Sequence, residues 1–376
     1  MPYYKGVFDQ LESERQQDAI PRLASGILRL RRQFAKQVPA RNLTSTLLLA
    51  TWNVREFGRN AKCGPRTAES LLYIAEILSH FDLIAVQEVH QNLGDLKAVL
   101  RLLGDWWDYI VTDVTDGRSG NEERIAFVYD TRKVRFDRMA GEVAFPAKSA
   151  KPAIQAARSP FICSFRSGWR RLTVCSVHIY YGTSDPNDPR RVAEIATLSQ
   201  LLAERNERRA HAPDGEPDNI VLLGDFNIFN RQGDATSKAL LRSGFVVPEE
   251  IRGLPGSNVK GNKYYDQIAF LNPDGKLRGT NRAGVFDFRK SVHREEDLQD
   301  YLREFRFPKS VDRTKAARLK HLAQWSTFQL SDHLPLWVEL QTDYSEGYIV
   351  TRAGFHKRTG KGRLRGRAKA RVGRKQ

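Results

Sequence analysis

The sequence predicts an α/β (α+β) fold arranged as a four-layer α/β/β/α sandwich, with two mixed β-sheets packed face to face and flanked by helices. Short apolar runs of strand length alternate along the chain with segments of helical period. Several strands follow one another as hairpins, which favours mixed sheets over a doubly wound parallel sheet. Six motifs place acidic, amide or imidazole side chains at or just after strand ends, at residues 51–55, 85–89, 176–178, 223–227, 265–268 and 331–335. These polar groups predict a site at one rim of the fold.

The predicted helices carry apolar residues at intervals of three and four. A helix over residues 18–37 precedes the first strand. A longer helix over 188–208 begins with Asp188 as its cap, followed by Pro189, a favourable pair at a helix start. The remaining predicted helices cover 65–81, 96–103, 295–305 and 314–325.

The predicted strands are bounded apolar runs, and several of them end beside a polar motif. Residues 161–165 and 171–178 form a hairpin that turns at Ser167-Gly168. The first strand is apolar throughout, as expected for a strand buried on both faces. The remaining predicted strands cover 46–52, 83–86, 107–112, 124–129, 133–139, 219–224, 264–271 and 334–340.

The 376-residue chain is long enough for one large domain or for two. A single set of candidate site residues extends from residue 53 to residue 333, which favours one domain. We expect a helical extension over 1–45, a catalytic domain over 46–345 with a charged helical insertion near 287–325, and a basic, disordered tail over 346–376.

Positive charge is concentrated at the end of the chain. The net charge is +17, and residues 351–376 contain eleven lysines and arginines and no acidic residue, which leaves about +6 on the rest of the chain. A polycationic arm of this kind predicts salt-sensitive, sequence-independent contact with nucleic-acid phosphates. The alternative is a solvated tail that only aids solubility.

The three cysteines, Cys63, Cys163 and Cys175, do not indicate a disulfide framework. The first 20 residues contain no apolar signal region, and no apolar run reaches the length of a membrane span. We therefore expect a cytoplasmic protein without a transmembrane segment.

Oxygen ligands at the strand ends predict a site for a hard divalent cation, Mg²⁺ or Mn²⁺. Glu88 follows four apolar residues, and a carboxylate at the end of a buried strand is costly unless it is paired or bound to metal. Asn53 and Asp332 complete an open oxygen site of the kind that Mg²⁺ prefers. Such an ion shields phosphate oxygens and stabilises a departing oxyanion, so the pattern predicts phosphodiester hydrolysis.

The remaining motif residues fit the other tasks of that reaction. Asp225 and Asn227 are two positions apart, so in extended backbone their side chains project to the same side, one to act on water and the other to donate to phosphate. His178 and His333 donate to phosphate when protonated or relay a proton when neutral. Asp266 is placed to hold one of these imidazoles in a fixed tautomer.

The ordered set Asn53, Glu88, His178, Gly224-Asp225-Phe226-Asn227, Asp266 and Ser331-Asp332-His333 resembles the endonuclease/exonuclease/phosphatase superfamily, over residues 47–340. The resemblance implies that Glu88 binds the metal with Asn53 and Asp332 beside it. It also implies that Asp225 and Asn227 act on water and phosphate, that His333 contacts the scissile phosphate, and that Asp266 pairs with a histidine.

Two further residues match the family. Glu123 resembles the glutamate that supports the histidine at position 178, and Arg158 resembles the arginine that grips a backbone phosphate. Asn121 departs from the pattern, because deoxyribonucleases carry a DNA-contacting tyrosine there. Tyr180 and Tyr181, next to His178, either stack on a base or sugar or pack within the protein.

The leading hypothesis is a metal-dependent nuclease, most simply an endonuclease, that cuts DNA and in some cases RNA. One alternative is a phosphatase or a phosphodiesterase of the same fold that acts on a phospholipid or a small ester, since a basic arm also suits an anionic membrane. Another is a nucleic-acid-binding protein with an idle catalytic centre. No expected catalytic position is substituted, which disfavours the last alternative.

Overall fold

The computed structural model describes residues 2–13, 18–59, 64–115, 120–146, 155–213, 215, 217–230, 233–273, 275, 277–302 and 314–353. Its helices are α1 (Lys5–Ser13), α2 (Ala19–Gln37), α3 (Ala68–Leu78), α4 (Gly94–Leu103), α5 (Pro189–Ala210), α6 (Ala235–Leu241), α7 (Glu249–Arg252), α8 (Leu298–Tyr301), α9 (Lys315–Gln329) and α10 (Ser345–Arg352). Its strands are β1 (Thr46–Phe57), β2 (Leu83–His90), β3 (Trp107–Val111), β4 (Glu123–Asp130), β5 (Arg135–Glu142), β6 (Phe161–Ser167), β7 (Arg170–His178), β8 (Ile220–Asp225), β9 (Asp266–Leu271), β10 (Gly279–Val285) and β11 (Leu336–Gln341).

The strands form two mixed sheets, as the sequence predicts. The first sheet has the order β10-β11-β1-β2-β4-β3, and the second has the order β5-β6-β7-β8-β9. In each sheet one central pair is parallel, β1 with β2 and β7 with β8, while the neighbouring pairs are antiparallel. The parallel pairs matter for the site because their carboxyl ends lie at the same edge of each sheet.

The alternation of side chains along each strand produces three apolar layers. Leu47 and Leu49 of β1 belong to the core between the sheets, whereas Leu48 and Ala50 belong to the core under α2, α3 and α4. The outer face of the second sheet packs against α5 and α6 in the same way. Because both faces of the central strands are buried, those strands lack polar alternation.

The predicted hairpin is formed by β6 and β7, which pair from Ser167 with Arg170 to Phe161 with Ser176. Its turn lies at Gly168-Trp169, one residue later than the predicted Ser167-Gly168, because Ser167 still belongs to the ladder. The side chain of Asp188 accepts hydrogen bonds from the backbone N–H groups of Arg190 and Arg191, so it caps α5 ahead of Pro189. This cap fixes the start of α5 beside the end of β7.

The predicted N-terminal helix is observed as α2 and packs on the first sheet. Leu23, Ile27, Leu30 and Phe34 are buried in the same core as β1. The Phe34 ring stacks on Phe286 with a centroid separation of 3.7 Å. The proposed boundary at residue 45 divides the chain only in sequence. In the structure, the apolar face of α2 packs against the first sheet.

The predicted insertion is helical in part. Short 3₁₀ turns occupy Phe288–Lys290 and Glu295–Asp297, and α8 is only one turn long. Residues 303–313 lie outside the described ranges, and α9 then continues beyond the predicted end at residue 325. A buried ionic cluster joins the insertion to the body, because the Glu69 carboxylate accepts hydrogen bonds from Arg22, Tyr73 and Tyr301.

The expectation of a disordered tail from residue 346 is wrong for its first seven residues, because residues 346–352 belong to the helix α10. The rest of the basic tail after residue 353 lies outside the described residues, as does Cys63. Cys163 and Cys175 are buried free thiols. Among the described helices, none is both long and apolar enough to cross a membrane.

Replacing Phe34 tests whether α2 is part of the core. Phe34→Ala should lower the free energy of unfolding by about 3–5 kcal/mol, because it leaves a cavity between two stacked rings. Leu28→Ala on the same helix is the matched control, since Leu28 is 51% exposed and its loss should cost less than about 0.5 kcal/mol. Urea denaturation of both variants measures this, and equal stabilities would show that α2 does not belong to the core.

Candidate active site

The two sheets bring the predicted polar residues to one rim. Asn53 lies opposite Gln87 where β1 and β2 run in parallel, and His178 lies opposite Asp225 where β7 and β8 run in parallel. Asp225 in turn pairs with Asp266 at the start of β9. Below the rim, the Gln87 side chain donates to Ser176 Oγ at 2.9 Å, so a buried hydrogen bond also joins the sheets.

The carboxylate of Asp225 lies at the centre of this rim and is buried. Its Oδ2 accepts a hydrogen bond from Asn53 Nδ2 at 3.0 Å. The same oxygen lies 3.6 Å from His178 Nε2 and 3.7 Å from His333 Nε2. Burial raises the pKa of Asp225, but the two imidazoles and the Asn53 amide outweigh it and hold the pKa below its ordinary value. Asp225 is therefore an ionised carboxylate between two imidazoles.

Glu123 holds the far side of His178. Glu123 Oε2 lies 2.6 Å from His178 Nδ1. Glu123 Oε1 accepts hydrogen bonds from Arg158 Nη2 at 3.0 Å and from Asn121 Nδ2 at 2.7 Å. Burial and Arg158 lower the pKa of His178, yet the carboxylates of Glu123 and Asp225 raise it overall. Glu123 therefore contacts His178, as the family resemblance implies. The guanidinium of Arg158 is paired with the same Glu123 carboxylate.

Asp266 holds His333 in the corresponding way. The Asp266 Oδ2 lies 2.8 Å from His333 Nδ1, which fixes the imidazole with Nε2 toward Asp225. Burial lowers the pKa of His333, but Asp266 and Asp225 raise it well above its usual value. The backbone carbonyl of His333 accepts a hydrogen bond from Trp52 Nε1 at 3.0 Å, so the loop is tied to β1.

The hydroxyl of Ser331 joins the same loop to the end of β1. Ser331 Oγ donates to the carbonyl of Asn53 at 2.5 Å and accepts from the backbone N–H of His333 at 2.9 Å. The serine of the Ser-Asp-His motif therefore positions both Asn53 and His333.

Glu88 lies on the other side of Asn53. Its Oε1 accepts from Asn53 Nδ2 at 2.9 Å, and its Oε2 accepts from the backbone N–H of Glu56 at 2.8 Å. Burial and the charges of Glu123 and Asp332 raise the pKa of Glu88. Asn53 Oδ1 is buried and has no hydrogen-bond partner among the described residues. A crowded carboxylate next to an unpaired amide oxygen is a donor set that suits a hard cation such as Mg²⁺.

The third predicted metal ligand is placed differently. Asp332 Oδ2 lies 3.3 Å from Arg55 Nη1, and the Asp332 side chain is 37% exposed. In the part of the chain that the structure describes, no three His, Cys, Asp or Glu side chains are grouped closely enough to hold a metal ion. Glu88 and Asn53 supply few protein ligands, so a bound Mg²⁺ would keep several of its water ligands. Proteins usually hold Mg²⁺ in this way.

The predicted geometry of Asp225 and Asn227 is wrong, although both residues are at the rim. β8 ends at Asp225, and Asn227 has a left-handed backbone with φ +52°, so the two side chains do not alternate along a strand. The Asn227 backbone N–H donates to Asp225 Oδ1 at 2.9 Å, and its amide donates to the carbonyl of Ile179 at 2.8 Å. The turn replaces the extended backbone that the sequence interpretation assumed.

Left-handed residues other than glycine are concentrated around the carboxylates. Glu56, Glu88, Asn121 and Asn227 have φ between +45° and +58°. Each such residue costs on the order of 1–3 kcal/mol, and such strain is typical of functional sites. Asn121 and Asn227 are of a residue type enriched at positive φ, whereas Glu56 and Glu88 are not, so the sequence gave no signal for the backbone at the two glutamates.

Sequence reasoning also missed Arg66, which holds the strained end of β1. This buried guanidinium donates to the carbonyls of Arg55, Glu56 and Gln329 and pairs with Asp95. Arg66 belongs to none of the motifs, so no local pattern could have identified it.

Acid, amide and imidazole side chains from both sheets thus converge on one rim of the α/β sandwich. Residues 50–245 match the Endonuclease/Exonuclease/phosphatase family, and the chain belongs to this family.

The chain is also similar to individual proteins. Deoxyribonuclease-1 of Rattus norvegicus is 28% identical over 198 residues, which are 49% of this chain and 61% of that protein. Deoxyribonuclease-1 of Homo sapiens is 28% identical over 194 residues, which are 48% of this chain and 61% of that protein. The chain thus spans about three fifths of the length of the curated relatives it matches.

A solved structure supports the fold. The endonuclease/exonuclease/phosphatase family protein from Bacteroides thetaiotaomicron aligns with a TM-score of 0.51 and 18% identity, over 80% of this chain and 96% of that one. The predicted superfamily and the two-sheet sandwich are confirmed.

The contact between Glu123 and His178 predicts a measurable titration. Glu123→Gln should lower the pKa of His178, because it removes the carboxylate that raises that pKa. A raised histidine pKa stabilises the fold below about pH 6.5 and loses that effect as pH rises through the folded pKa. The loss of stability in Glu123→Gln should therefore be larger at about pH 5.5 than above the folded pKa. Histidine NMR titration and urea denaturation measure the two effects.

The exposed Glu204 supplies the control for this experiment. Glu204→Gln removes one carboxylate from α5 that accepts from Gln200 and lies away from His178, so the titration of His178 should not move. An unchanged pKa in Glu123→Gln would contradict the assignment of the shift to Glu123.

Proposed function

We propose that this protein is a divalent-metal-dependent phosphodiester hydrolase, a nuclease that cuts DNA, and RNA in some contexts, endonucleolytically. The observation that carries this proposal is the buried Asp225 carboxylate, with His178 and His333 within 3.7 Å of one of its oxygens. The similarity to Deoxyribonuclease-1 over about half of the chain supports the choice of nucleic acid as substrate.

In this proposal Asp225 orients the attacking water and accepts its proton. An acidic group beside two imidazoles stays ionised at neutral pH, so its oxygen accepts a hydrogen bond from water. The pairing with Asn53 and the Asn227 backbone fixes the direction of that carboxylate. A fixed acceptor places water in line with the phosphorus without reorganisation during the reaction.

His333 and His178 donate to the phosphate oxygens in the proposed mechanism. Asp266 and Glu123 hold their Nδ1 atoms, which leaves both Nε2 atoms toward the rim. The second amide hydrogen of Asn227 donates to the same phosphate, since Ile179 takes one of the two. Donors fixed in a buried site stabilise the negative charge that develops on phosphate.

Glu88 and Asn53, with Asp332 nearby, are the proposed holders of Mg²⁺ or Mn²⁺. A bound divalent ion at this position supplies charge to the phosphate oxygens and to the leaving oxygen. Arg158 remains the proposed contact to a neighbouring phosphate of the substrate backbone, with Glu123 holding its guanidinium.

The charge of the chain supports a polyanionic partner. The tail over 351–376 supplies eleven of the seventeen net positive charges, and a small ester requires no such arm. A phospholipid or small-ester hydrolase of the same fold is the competing function, since it can use the same residues. We place the enzyme in the cytoplasm on the expectations from its sequence.

Cleavage of plasmid DNA tests the proposed function. The purified chain with Mg²⁺ should nick supercoiled plasmid, and EDTA should abolish the nicking. Asp225→Ala and His333→Ala should lower the rate by about 10²–10⁴-fold, because each removes a group that acts on water or phosphate. DNA binding by these variants should stay close to wild type.

Two controls make the result specific. His211→Ala should cleave like wild type, because His211 is exposed at the end of α5. Asp225→Asn keeps the shape of the side chain and separates loss of chemistry from loss of folding. Intact plasmid with every divalent metal, together with turnover of phospholipid, would favour the competing function.

Deleting residues 354–376 tests the tail. The truncated chain keeps α10 but lacks ten basic residues, so its affinity for DNA at low salt should fall. The dependence of log K on log salt should flatten by about 0.9 for each DNA phosphate that the tail neutralises in the full-length protein. Fluorescence anisotropy over a range of salt concentrations measures the affinity and its salt dependence. Equal slopes for the two proteins would refute the hypothesis that the tail binds DNA phosphates.

A further inference from the structure

Aromatic rings extend from the catalytic histidine toward the surface. The rings of His333 and Tyr265 are 5.4 Å apart at their centroids, with planes inclined by 31°. Tyr265 meets Phe229 edge to face at 5.4 Å, and Phe229 lies 6.0 Å from Tyr181. We call Tyr181, Phe229 and Tyr265 the aromatic platform.

The members of the platform differ in exposure. Phe229 is 3% exposed and backs the other two rings, whereas Tyr181 is 42% exposed at the outer end. Tyr265 is half-buried between Phe229 and His333. The platform thus runs continuously from a buried imidazole to an exposed ring, and its outer faces adjoin the place where the scissile phosphate is proposed to bind.

A buried guanidinium fixes the loop that carries Tyr181. Arg191 is fully buried and donates hydrogen bonds to the carbonyls of Tyr180, Tyr181, Thr183 and Asp185. The backbone that carries the Tyr181 ring is therefore held in place before any ligand arrives. Pre-ordering of this kind reduces the entropy cost of binding.

Glycine is required within the same loop. Gly182 has φ +63°, and a Cβ there would lie 2.5 Å from Asp188 Oδ2. The Asp188 carboxylate that caps α5 also accepts from the Thr183 hydroxyl at 3.2 Å. The start of α5 and the loop are therefore one rigid unit, and Tyr181 projects from it.

Cationic side chains accompany the rings. Lys263 Nζ lies 4.5 Å from the centroid of Phe229, and Arg190 Cζ lies 4.0 Å from that of Tyr180. Aromatic faces combined with positive charge are the surface that single-stranded nucleic acids use, since bases stack on the rings and cations neutralise the phosphates.

We propose that the aromatic platform is a subsite for one unpaired base of the nucleotide next to the scissile phosphate, with Lys263 beside the following phosphate. The inference rests on the proposed nuclease function and adds the class of substrate. A base inside a duplex has both faces covered by its neighbours, so only a single-stranded or locally unpaired strand can stack on Tyr181. The enzyme should therefore bind and cut single strands, loops and ends in preference to continuous duplex.

Fluorescence of 2-aminopurine tests the subsite in the full-length protein. Single-stranded hexanucleotides carrying 2-aminopurine at each position in turn are titrated with protein in EDTA, so that no cleavage occurs. Stacking on the platform should quench one position more than the others. Tyr181→Ala should abolish that position-specific quenching and weaken binding about tenfold, whereas Tyr181→Phe should retain both because it keeps the ring.

Trp106→Ala is the matched control, since Trp106 is 60% exposed and precedes β3 at the edge of the first sheet away from the rim. It should leave quenching and affinity unchanged. Equal quenching by wild type and Tyr181→Ala would overturn the subsite. Nicking of supercoiled plasmid by the wild-type chain with Mg²⁺ is measured in parallel, and its absence overturns the proposed nuclease itself. A failed subsite with an active wild-type enzyme leaves the proposed function standing.

Discussion

The burial of one charge, on Asp225, constrains the rest of the rim. Moving an ion out of water costs several kcal/mol unless hydrogen bonds and opposite charges compensate for the lost hydration. Removing one partner of a buried ion pair costs about 3–5 kcal/mol. The first sheet supplies Asn53, the second supplies His178, and the loop before β11 supplies His333. The site therefore assembles only when the two sheets pack together, because the partners of Asp225 come from both of them.

The side chains around Asp225 form a row in which acidic and basic groups alternate. Glu123 and Asp266 each hold one of the two imidazoles, and Arg158 in turn lies against Glu123. Groups of opposite charge are neighbours along this row, so each buried charge in it has a partner. Glu88 is the exception, because burial and the neighbouring carboxylates raise its pKa. Its hydrogen bonds within the described ranges come from the neutral Asn53 amide and the Glu56 backbone. Within this part of the rim, the carboxylate without a cationic hydrogen-bond donor is thus Glu88, where the divalent cation is proposed to bind.

The sequence predicted the layers well and the local geometry of the rim less well. Strands such as β1 and β8 were predictable because burial on both faces leaves an uninterrupted apolar run. β10 was missed, since its Gly-Thr-Asn-Arg start has no apolar pattern and it pairs only at the edge of the first sheet. The turn at Asn227 and the pairing of Asp332 with Arg55 depend on contacts between distant segments, which spacing alone does not encode.

The elements outside the family-matched segment complete the rim. The match ends at residue 245, whereas Asp266 and His333 come later in the chain and hold one side of Asp225. The end of α9, beyond the predicted insertion, reaches the same place through Arg55, whose guanidinium carbon lies 3.8 Å from the ring centroid of Phe328 and which pairs with Asp332. A change in α9 therefore acts on the rim through Arg55 without touching a catalytic group. The end of α9 is consequently linked to Asp332 through Arg55, and the rim depends on elements from the whole length of the described sandwich.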